Sequence, residues 1–193
     1  MAVKKIISAG HPALKMKNQR ISDFSSPSLK RLIKNLIDTM HKADLIGIAS
    51  PQIGKNFSVF VTEPRNTKSR KLGKTDMLRI YINPKIVSVS KKKSVIYEGC
   101  GSVHGIFGPV SRPTQIAIEA RDQNGKKFRL LCDGILARVI QHEVDHLRGI
   151  EFIEKVDDYK KIITAEQYQK NIRNSKVQKQ NSLIKKVIVD QAA

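Results

Sequence analysis

The sequence contains no tryptophan, only two cysteines and few acidic residues: 17 Asp and Glu stand against 36 Lys and Arg in 193 residues. Two cysteines, Cys100 and Cys132, are too few for a disulfide scaffold and are compatible with a reducing compartment. No apolar run approaches the roughly 20 residues of a membrane helix. The N-terminus has no apolar stretch typical of a secretory signal. We therefore expect neither a secreted disulfide-rich protein nor a membrane partner.

The shortage of acidic residues leaves a formal net charge of +19. Small soluble domains usually carry a net charge of about 2–8 in magnitude. Such an excess attracts polyanions such as nucleic acid, or it is simply a solvated basic surface. Without tryptophan or an aromatic stacking motif, sequence-specific nucleic-acid recognition is not expected. Two explanations of the charge therefore remain open: nonspecific affinity for a polyanion, and a basic surface that is only solvated.

Hydrophobic periodicity predicts two helices and several strands. The helices cover 27–41, with Ser26 as its cap, and 133–149, with Asp133 as its cap and Gly149 at its end. Strand-like runs lie at 57–62, 79–82, 85–90, 94–98, 115–122 and 126–133. The last two flank Asn124-Gly125, which predicts a hairpin turn.

The C-terminal part differs from the rest in composition. We divide the chain into a domain at 1–158 and a tail at 159–193, which carries eight basic against two acidic residues. The tail is expected to be partly helical or disordered. Apolar residues at helical spacing from Leu183 to Ile188 favour a short docked helix there, and a frayed end is the alternative.

The most informative motif is HEVDH at 142–146. On a helix, His142 and His146 lie one turn apart on the same face, so their imidazoles can bind one metal ion. Glu143 is then close enough to act as a base on a bound water, as in the H-E-x-x-H arrangement. Two histidines on a polar helix face that bind nothing are the alternative.

The residues alone leave the third ligand open. Downstream, Glu151, Glu154 and Glu166 are available, as in one class of H-E-x-x-H hydrolases. Upstream, Cys100 lies between two glycines after a strand-like run, where a thiolate is exposed enough to bind a metal. Cys132 has apolar neighbours and is expected to serve packing.

Three ordered stretches resemble peptide deformylases. Where that family has G-x-G-[LI]-A-A-x-Q, E-G-C-L-S and Q-H-E-x-D-H, this sequence has LIGIASPQ at 45–52, EGCGS at 98–102 and QHEVDH at 141–146. The resemblance spans roughly residues 3–158. It implies an α+β fold with antiparallel or mixed sheets packed around the motif helix, an N-terminal helix and a C-terminal tail. It also implies metal-dependent removal of the formyl group from the initiator methionine of new polypeptides, with release of formate.

The resemblance also implies residue roles. The expected metal ligands are Cys100, His142 and His146. The expected catalytic groups are Glu143 as the base and, as oxyanion donors, the Gln52 amide and the Gly101 backbone N–H. The expected substrate-binding residues are Ile46, Gly47, Gly99, Ile135 and Val139. The residues expected to support the site from behind are Glu98 paired with Arg112, and Asp145, which we expect to orient a ligand histidine.

The cofactor, partners and location follow from the same resemblance. We expect one divalent metal ion, Fe(II) in the cell, with Zn, Ni or Co as alternatives that a Cys-His-His set also accepts. The expected partners are formyl-methionyl nascent peptides and, through the basic surface and tail, the ribosome. The expected location is the bacterial cytoplasm or an equivalent organelle.

Rival functions remain open. One is an H-E-x-x-H endopeptidase with a downstream glutamate ligand, and another is a non-enzymatic, basic ribosome- or RNA-binding module. A third is action on a formylated group other than methionine.

Four positions depart from what the family pattern leads us to expect. Leu45 stands in place of the first glycine of the first stretch, and Ser50 in place of its second alanine. Gly101 stands where the family has leucine after the cysteine, which loosens a turn whose N–H must be aimed accurately. Arg138, next to Val139, is expected to alter the pocket for the methionine side chain.

Overall fold

The computed structural model describes residues 3–190, in which two antiparallel sheets pack around one central helix. The large sheet contains, in spatial order, β1 (Gly47–Ala49), β2 (Val59–Thr62), β3 (Arg79–Val89), β6 (Gln115–Arg121), β7 (Lys127–Asp133) and β9 (Val187–Asp190). The small sheet contains β4 (Lys93–Cys100), β5 (Val103–Pro113) and β8 (Ile163–Thr164). The helices are α1 (Pro27–Lys42), α2 (Gly134–Leu147), α3 (Ala165–Gln167) and α4 (Lys176–Ser182).

Helix α1 forms where the apolar spacing predicts it. The Ser26 hydroxyl accepts a hydrogen bond from the Leu29 backbone N–H and Pro27 occupies the first turn, so the helix start is satisfied. Its apolar stripe, with Leu36 and Met40 fully buried, packs beside β1 and β2. Helix α1 therefore holds β1 in position by packing against the side chain of Ile48.

The predicted hairpin is confirmed at Asn124-Gly125. The Asp122 carboxylate accepts from the backbone N–H groups of Asn124 and Lys126, and Gly125 takes the left-handed conformation at φ 83°. Two differences concern strands. The separately predicted runs 79–82 and 85–90 form one strand, β3, with a bulge beside Asn83. Strands β1, β5, β8 and β9 are absent from the prediction; the glycines and prolines of β5 are typical of loops.

Helix α2 contacts both sheets, which confirms the α+β class with sheets around the motif helix. Leu136 and Ile140 are fully buried. On the small-sheet side, Arg138 donates hydrogen bonds to the Val110 and Ser94 carbonyl oxygens. The predicted cap Asp133 does not bond to the helix; its carboxylate accepts instead from the backbone N–H groups of Lys185 and Lys186.

The C-terminal segment packs onto the domain. Strand β8 pairs with β5, and β9 pairs with β7 at the edge of the large sheet. Ile184 is 2 % exposed and belongs to the main core. A helix over Leu183–Ile188 is therefore a wrong prediction, because the chain is extended there to reach β7. The tail predicted at 159–193 is partly helical up to Ser182, and 191–193 lie outside the described residues.

No helix within residues 3–190 combines the length and the apolar character needed to cross a membrane.

Candidate active site

The end of β4 and one face of α2 bring together a thiol and two imidazoles. Cys100 Sγ lies 3.2 Å from His146 Nε2, and ligand atoms of Cys100, His142 and His146 all lie within 4.8 Å of one another. Within residues 3–190 this is the one group of three or more such side chains close enough to share an ion. A thiolate and two imidazoles form a donor set that suits Zn, Fe, Ni or Co. These residues fit a metal ion.

The downstream glutamates are not part of this group. Glu151 and Glu154 form ion pairs with Lys15, and Glu166 is exposed. The structure therefore gives no support to the ligand set of the endopeptidase alternative.

The electrostatics favour the thiolate form of Cys100. Burial opposes ionisation, but the charge of His146 and hydrogen bonds from both histidines outweigh it and hold the pKa of the thiol well below its usual value. The thiolate is the form that binds metals. In contrast, burial beside Asp133 raises the pKa of Cys132 to about 12, and this fully buried cysteine is packed in the core as predicted.

A buried ionic network holds the His142 ring on the side away from Cys100. Glu98 Oε2 lies 3.1 Å from His142 Nδ1 and also accepts from Arg112 Nη2 at 2.9 Å, while Arg112 Nε donates to Glu98 Oε1 at 2.7 Å. Burial would raise the pKa of Glu98, but the charge of Arg112 and the hydrogen bond with His142 hold it far below its usual value. The ionised carboxylate fixes the His142 ring with Nε2 facing Cys100.

Asp145 and Arg138 complete this network in ways that the sequence did not indicate. Asp145 was expected to orient a ligand histidine; instead its carboxylate accepts from Arg112 at 2.6 Å and pairs with Lys155 at 3.4 Å. Arg138 was expected to alter the methionine pocket. Its guanidinium donates to Glu98 at 2.9 Å, so its charge is committed to the network.

The Gln52 side chain is held in one orientation. Its Oε1 accepts from the Ala49 backbone N–H at 2.8 Å, which fixes Nε2 as the end that faces Cys100 Sγ and Ser102 Oγ, each at 3.4 Å. Gln52 is 2 % exposed. A neutral N–H donor thus points at the metal-binding group, where it can stabilise a developing negative charge.

Glu143 lies against β1. It is 3 % exposed, and no donor among the described residues lies within hydrogen-bonding distance of its Oε2. Burial raises the pKa of Glu143 to about 7 against the opposing charges of His142 and His146. Gly47 makes this placement possible, because a Cβ there would lie 2.5 Å from Val139 Cγ1 and 2.7 Å from Glu143 Oε1.

A groove of about 900 Å³ opens onto these groups. All five residues that we expected to contact substrate line it: Ile46, Gly47, Gly99, Ile135 and Val139. Gln52, Cys100, Gly101, His142 and Glu143 line it as well.

The groove also contains residues that the sequence did not single out. Phe107 lines it and stacks on Tyr168, with ring centroids 4.0 Å apart. Next to the groove lining, the Ser102 hydroxyl lies 3.4 Å from Gln52 Nε2, and the EGCGS stretch was the available signal for it. No local pattern in the sequence indicates that Tyr168 and the residues around it reach the groove.

Two of the departures from the family pattern lie against each other. A Cβ built on Gly101 would lie 3.0 Å from Leu45 Cδ1 and 3.4 Å from Ile6 Cδ1. Leu45 therefore occupies the space that a side chain at position 101 would need. Ser50 is fully buried, and its hydroxyl bonds to the Lys55 carbonyl and accepts from the Phe57 N–H, which ties the turn before Gln52 to the next loop.

Because Leu45 and Gly101 share this space, Gly101→Leu alone is expected to lower kcat/KM by displacing the turn beside Cys100. Adding Leu45→Gly should recover part of the loss. Comparing kcat/KM for the wild type, both single variants and the double variant gives the coupling, expected at about 0.5–3 kcal/mol. Additive losses would show that the two residues act independently.

Comparison with known proteins agrees with the geometry. The family profile of polypeptide deformylases matches residues 3–162. A peptide deformylase of Natranaerobius thermophilus is 36% identical over 158 residues, covering 82% of this chain and 95% of that protein. The chloroplastic/mitochondrial peptide deformylase 1B of Arabidopsis thaliana is 38% identical over 154 residues, which cover 80% of this chain and 54% of that protein.

A solved structure shows the same fold. The class I type b peptide deformylase of Acinetobacter baumannii, in its Met-Ala-Ser-bound form, superposes with a TM-score of 0.77 at 28% identity, covering 81% of this chain and all of that one. The match of a family profile to most of the chain, together with these relatives, leaves one conclusion. The chain belongs to the peptide deformylases, the metal-dependent enzymes that remove the N-formyl group from nascent peptides.

Proposed function

We propose that Cys100, His142 and His146 hold one divalent metal ion and that Glu143 and Gln52 act on a formyl-methionine amide beside it. The observation that carries this assignment is the fixed orientation of Gln52. Its Nε2 faces the Cys100 thiol because Ala49 holds its Oε1. An N–H donor and a buried carboxylate thus flank one metal-binding group.

In this proposal, Glu143 moves the protons. A bound divalent ion supplies Lewis acidity and makes water a stronger nucleophile at neutral pH. Glu143 takes a proton from the attacking water, whose oxygen adds to the formyl carbon. Glu143 then gives that proton to the amine nitrogen as the C–N bond breaks, and formate and a free amino terminus result.

Gln52 and Gly101 stabilise the oxyanion in this proposal. As water adds, the formyl oxygen gains negative charge, and Gln52 Nε2 with the Gly101 backbone N–H donate to it. Since Gln52 is neutral, it cannot take the proton that Glu143 must hold.

The peptide binds along β1. This strand lies at the edge of the large sheet, paired on one side with β2. Its other side offers the main-chain groups of Gly47 to an extended peptide, whereas the Ile46 carbonyl accepts from the Glu63 backbone N–H on the β2 side. The Acinetobacter baumannii relative holds Met-Ala-Ser, which belongs to the chemical class of product that this reaction would release. Ile135 and Val139 provide apolar surface for the methionine side chain.

The proposed metal in the cell is Fe(II), which the resemblance to the family implies; Zn, Ni and Co are the alternatives, because a thiolate and two imidazoles accept all four ions. The test is formate release from a formyl-Met-Ala-Ser peptide by protein purified without oxygen, with metal analysis of the same sample. We expect a chelator to abolish formate release and each re-added ion to restore it to a different degree. Full activity in metal-free protein would refute the proposal.

We also propose that the basic surface brings the enzyme to the ribosome. Lys160, Lys170 and Lys176 are exposed on the C-terminal segment. Interactions of such lysines with RNA phosphates release counterions and weaken as salt rises.

Replacing these three lysines by glutamine should lower ribosome affinity and make its salt dependence shallower, by about 0.7–0.9 in logarithmic slope for each lysine–phosphate interaction removed. Turnover of a free formyl peptide should not change. The control variant replaces three other exposed lysines by glutamine, and so loses the same charge: Lys17, Lys30 and Lys42. Equal decreases in affinity in both variants would show a general charge effect rather than binding by this segment.

The proposed location is the cytoplasm of a bacterium or an equivalent organelle, which agrees with the bacterial and plastid relatives. The proposed division into a catalytic domain at 1–158 and a C-terminal segment at 159–193 remains a prediction. The family profile ends nearby, at residue 162.

A further inference from the structure

The far end of the groove is walled by two segments that contribute no proposed metal ligand. We define this outer wall as residues 69–73, from the loop before β3, and residues 168–183, from the C-terminal segment. Both segments line the same groove as Cys100 and Glu143. The composition of the outer wall therefore decides what lies beside a bound peptide beyond its first residue.

The outer wall is positively charged. Arg70, Lys71, Arg173 and Lys179 line the groove there. The nearby carboxylate, Asp44, is engaged by the loop itself, since it accepts from the backbone N–H groups of residues 68 and 69 at 3.0 and 2.9 Å. The other two carboxylates in the groove lining, Glu98 and Glu143, belong to the metal-binding end.

Arg173 is held in place by aromatic packing. Its guanidinium lies over the Tyr168 ring, 5.5 Å from the centroid, and Tyr168 stacks on Phe107. Gln178 fastens this segment to β4, because its side chain bonds to both the backbone N–H and the carbonyl of Tyr97 and to the Tyr168 hydroxyl. Arg173 is thus a positioned cation rather than a mobile surface charge.

Arg70 faces the same space. It is partly buried, and burial lowers the pKa of its guanidinium, with the neighbouring charge of Arg173 acting in the same direction. No carboxylate is within ion-pairing distance of Arg70 or Arg173 among residues 3–190. The charge of Asp44 acts on Arg70 without an ion pair, and two partly buried cations without an ion-paired carboxylate are stabilised when another carboxylate enters beside them.

A peptide on β1 reaches this wall. From Gly47 the groove continues along the chain back to Ala43, and Asp44 joins that stretch to the 69–73 loop. An extended peptide advances about 3.3 Å per residue, so the residues after the methionine arrive at the outer wall. We propose that Arg70 and Arg173 select substrates with an aspartate or glutamate shortly after the formyl-methionine, an inference that rests on the proposed function.

The test uses metal-loaded enzyme and formyl-methionyl peptides of equal length, amidated at the C-terminus, with aspartate, alanine or lysine in the positions after methionine. The wild type should prefer the acidic over the lysine peptide by about tenfold in kcat/KM at low salt, through KM rather than kcat. Arg70→Gln and Arg173→Gln should each reduce the preference about threefold, and the double variant should remove it.

Controls separate charge from structure. Arg173→Lys keeps the charge and should retain part of the preference. Arg129→Gln removes an exposed arginine on β7, away from the groove, and should retain all of it. The alanine peptide should be hydrolysed equally by all variants. A further peptide with a free C-terminal carboxylate shows whether the carboxylate is recognised on a side chain or at the chain end.

Equal kcat/KM for acidic and lysine peptides in the wild type would overturn the inference, as would a preference that survives the double variant. Both results leave the proposed function standing, because the alanine peptide is still hydrolysed. A wild type that releases no formate from the alanine peptide would overturn the proposed function and this inference with it.

Discussion

Glu143→Gln is expected to bind one metal ion per chain and to lose at least about 10²–10⁴-fold in kcat. The loss follows because general acid–base catalysis typically supplies a factor of this size, and glutamine cannot carry the proton. Metal binding should persist because Glu143 is not one of the three clustered donors. Formate release and metal content are measured on the same preparation.

The control for this variant is Glu119→Gln, which removes an exposed carboxylate on β6 and should change neither quantity. If Glu143→Gln loses its metal while turnover per bound ion is unchanged, Glu143 serves the structure of the site and the proposed proton transfers are wrong.

Cys100→Ser is expected to lose most of its metal and, with it, activity. The hydroxyl that replaces the thiol stays protonated near neutral pH and is a poor ligand for Fe(II), Zn, Ni or Co. The site favours a sulfur anion, because the charge of His146 and the hydrogen bonds from both histidines lower the pKa of the Cys100 thiol. Metal per folded chain and kcat are the measurements.

The other cysteine provides a matched control. Cys132 is fully buried in the core and is not part of the metal-binding group. Cys132→Ala should lower the unfolding temperature while keeping full metal occupancy in the chains that remain folded. Full metal occupancy and activity in Cys100→Ser would remove Cys100 from the ligand set.

The sequence predicted those parts of the fold that depend on local order. Helix α1 follows from apolar spacing and the Ser26 cap, and the turn at Gly125 follows from a residue that tolerates positive φ. Strand β5 was missed although it forms a hairpin with the preceding β4, because its glycines and prolines are typical of loops. The helix expected at Leu183–Ile188 does not form because Val187 and Ile188 belong to β9, which pairs with the edge of β7.

The two histidines of the metal-binding group were predictable because their motif is short and regular, whereas Cys100 followed from the resemblance of EGCGS at 98–102 to the family pattern. The spacing of His142 and His146 places both on one helix face, whatever surrounds them. Contacts between distant segments gave no such signal. Leu45 and Gly101 are 56 positions apart along the chain and meet through tertiary packing alone. The same is true of Arg173, whose segment is held at the groove by the bonds of Gln178 to β4 and by the stacking of Tyr168 on Phe107.

A crystal structure of the anaerobically purified, metal-loaded enzyme, with anomalous scattering recorded at the metal's absorption edge, would locate the ion and its ligands directly. We expect one peak, about 2.3 Å from Cys100 Sγ and about 2.0–2.1 Å from a ring nitrogen of His142 and of His146, with Gln52 Nε2 and Glu143 on either side. A peak bound by Glu151 or Glu154 instead, or one that leaves Cys100 uncoordinated, would contradict the proposed metal site and the mechanism that depends on it.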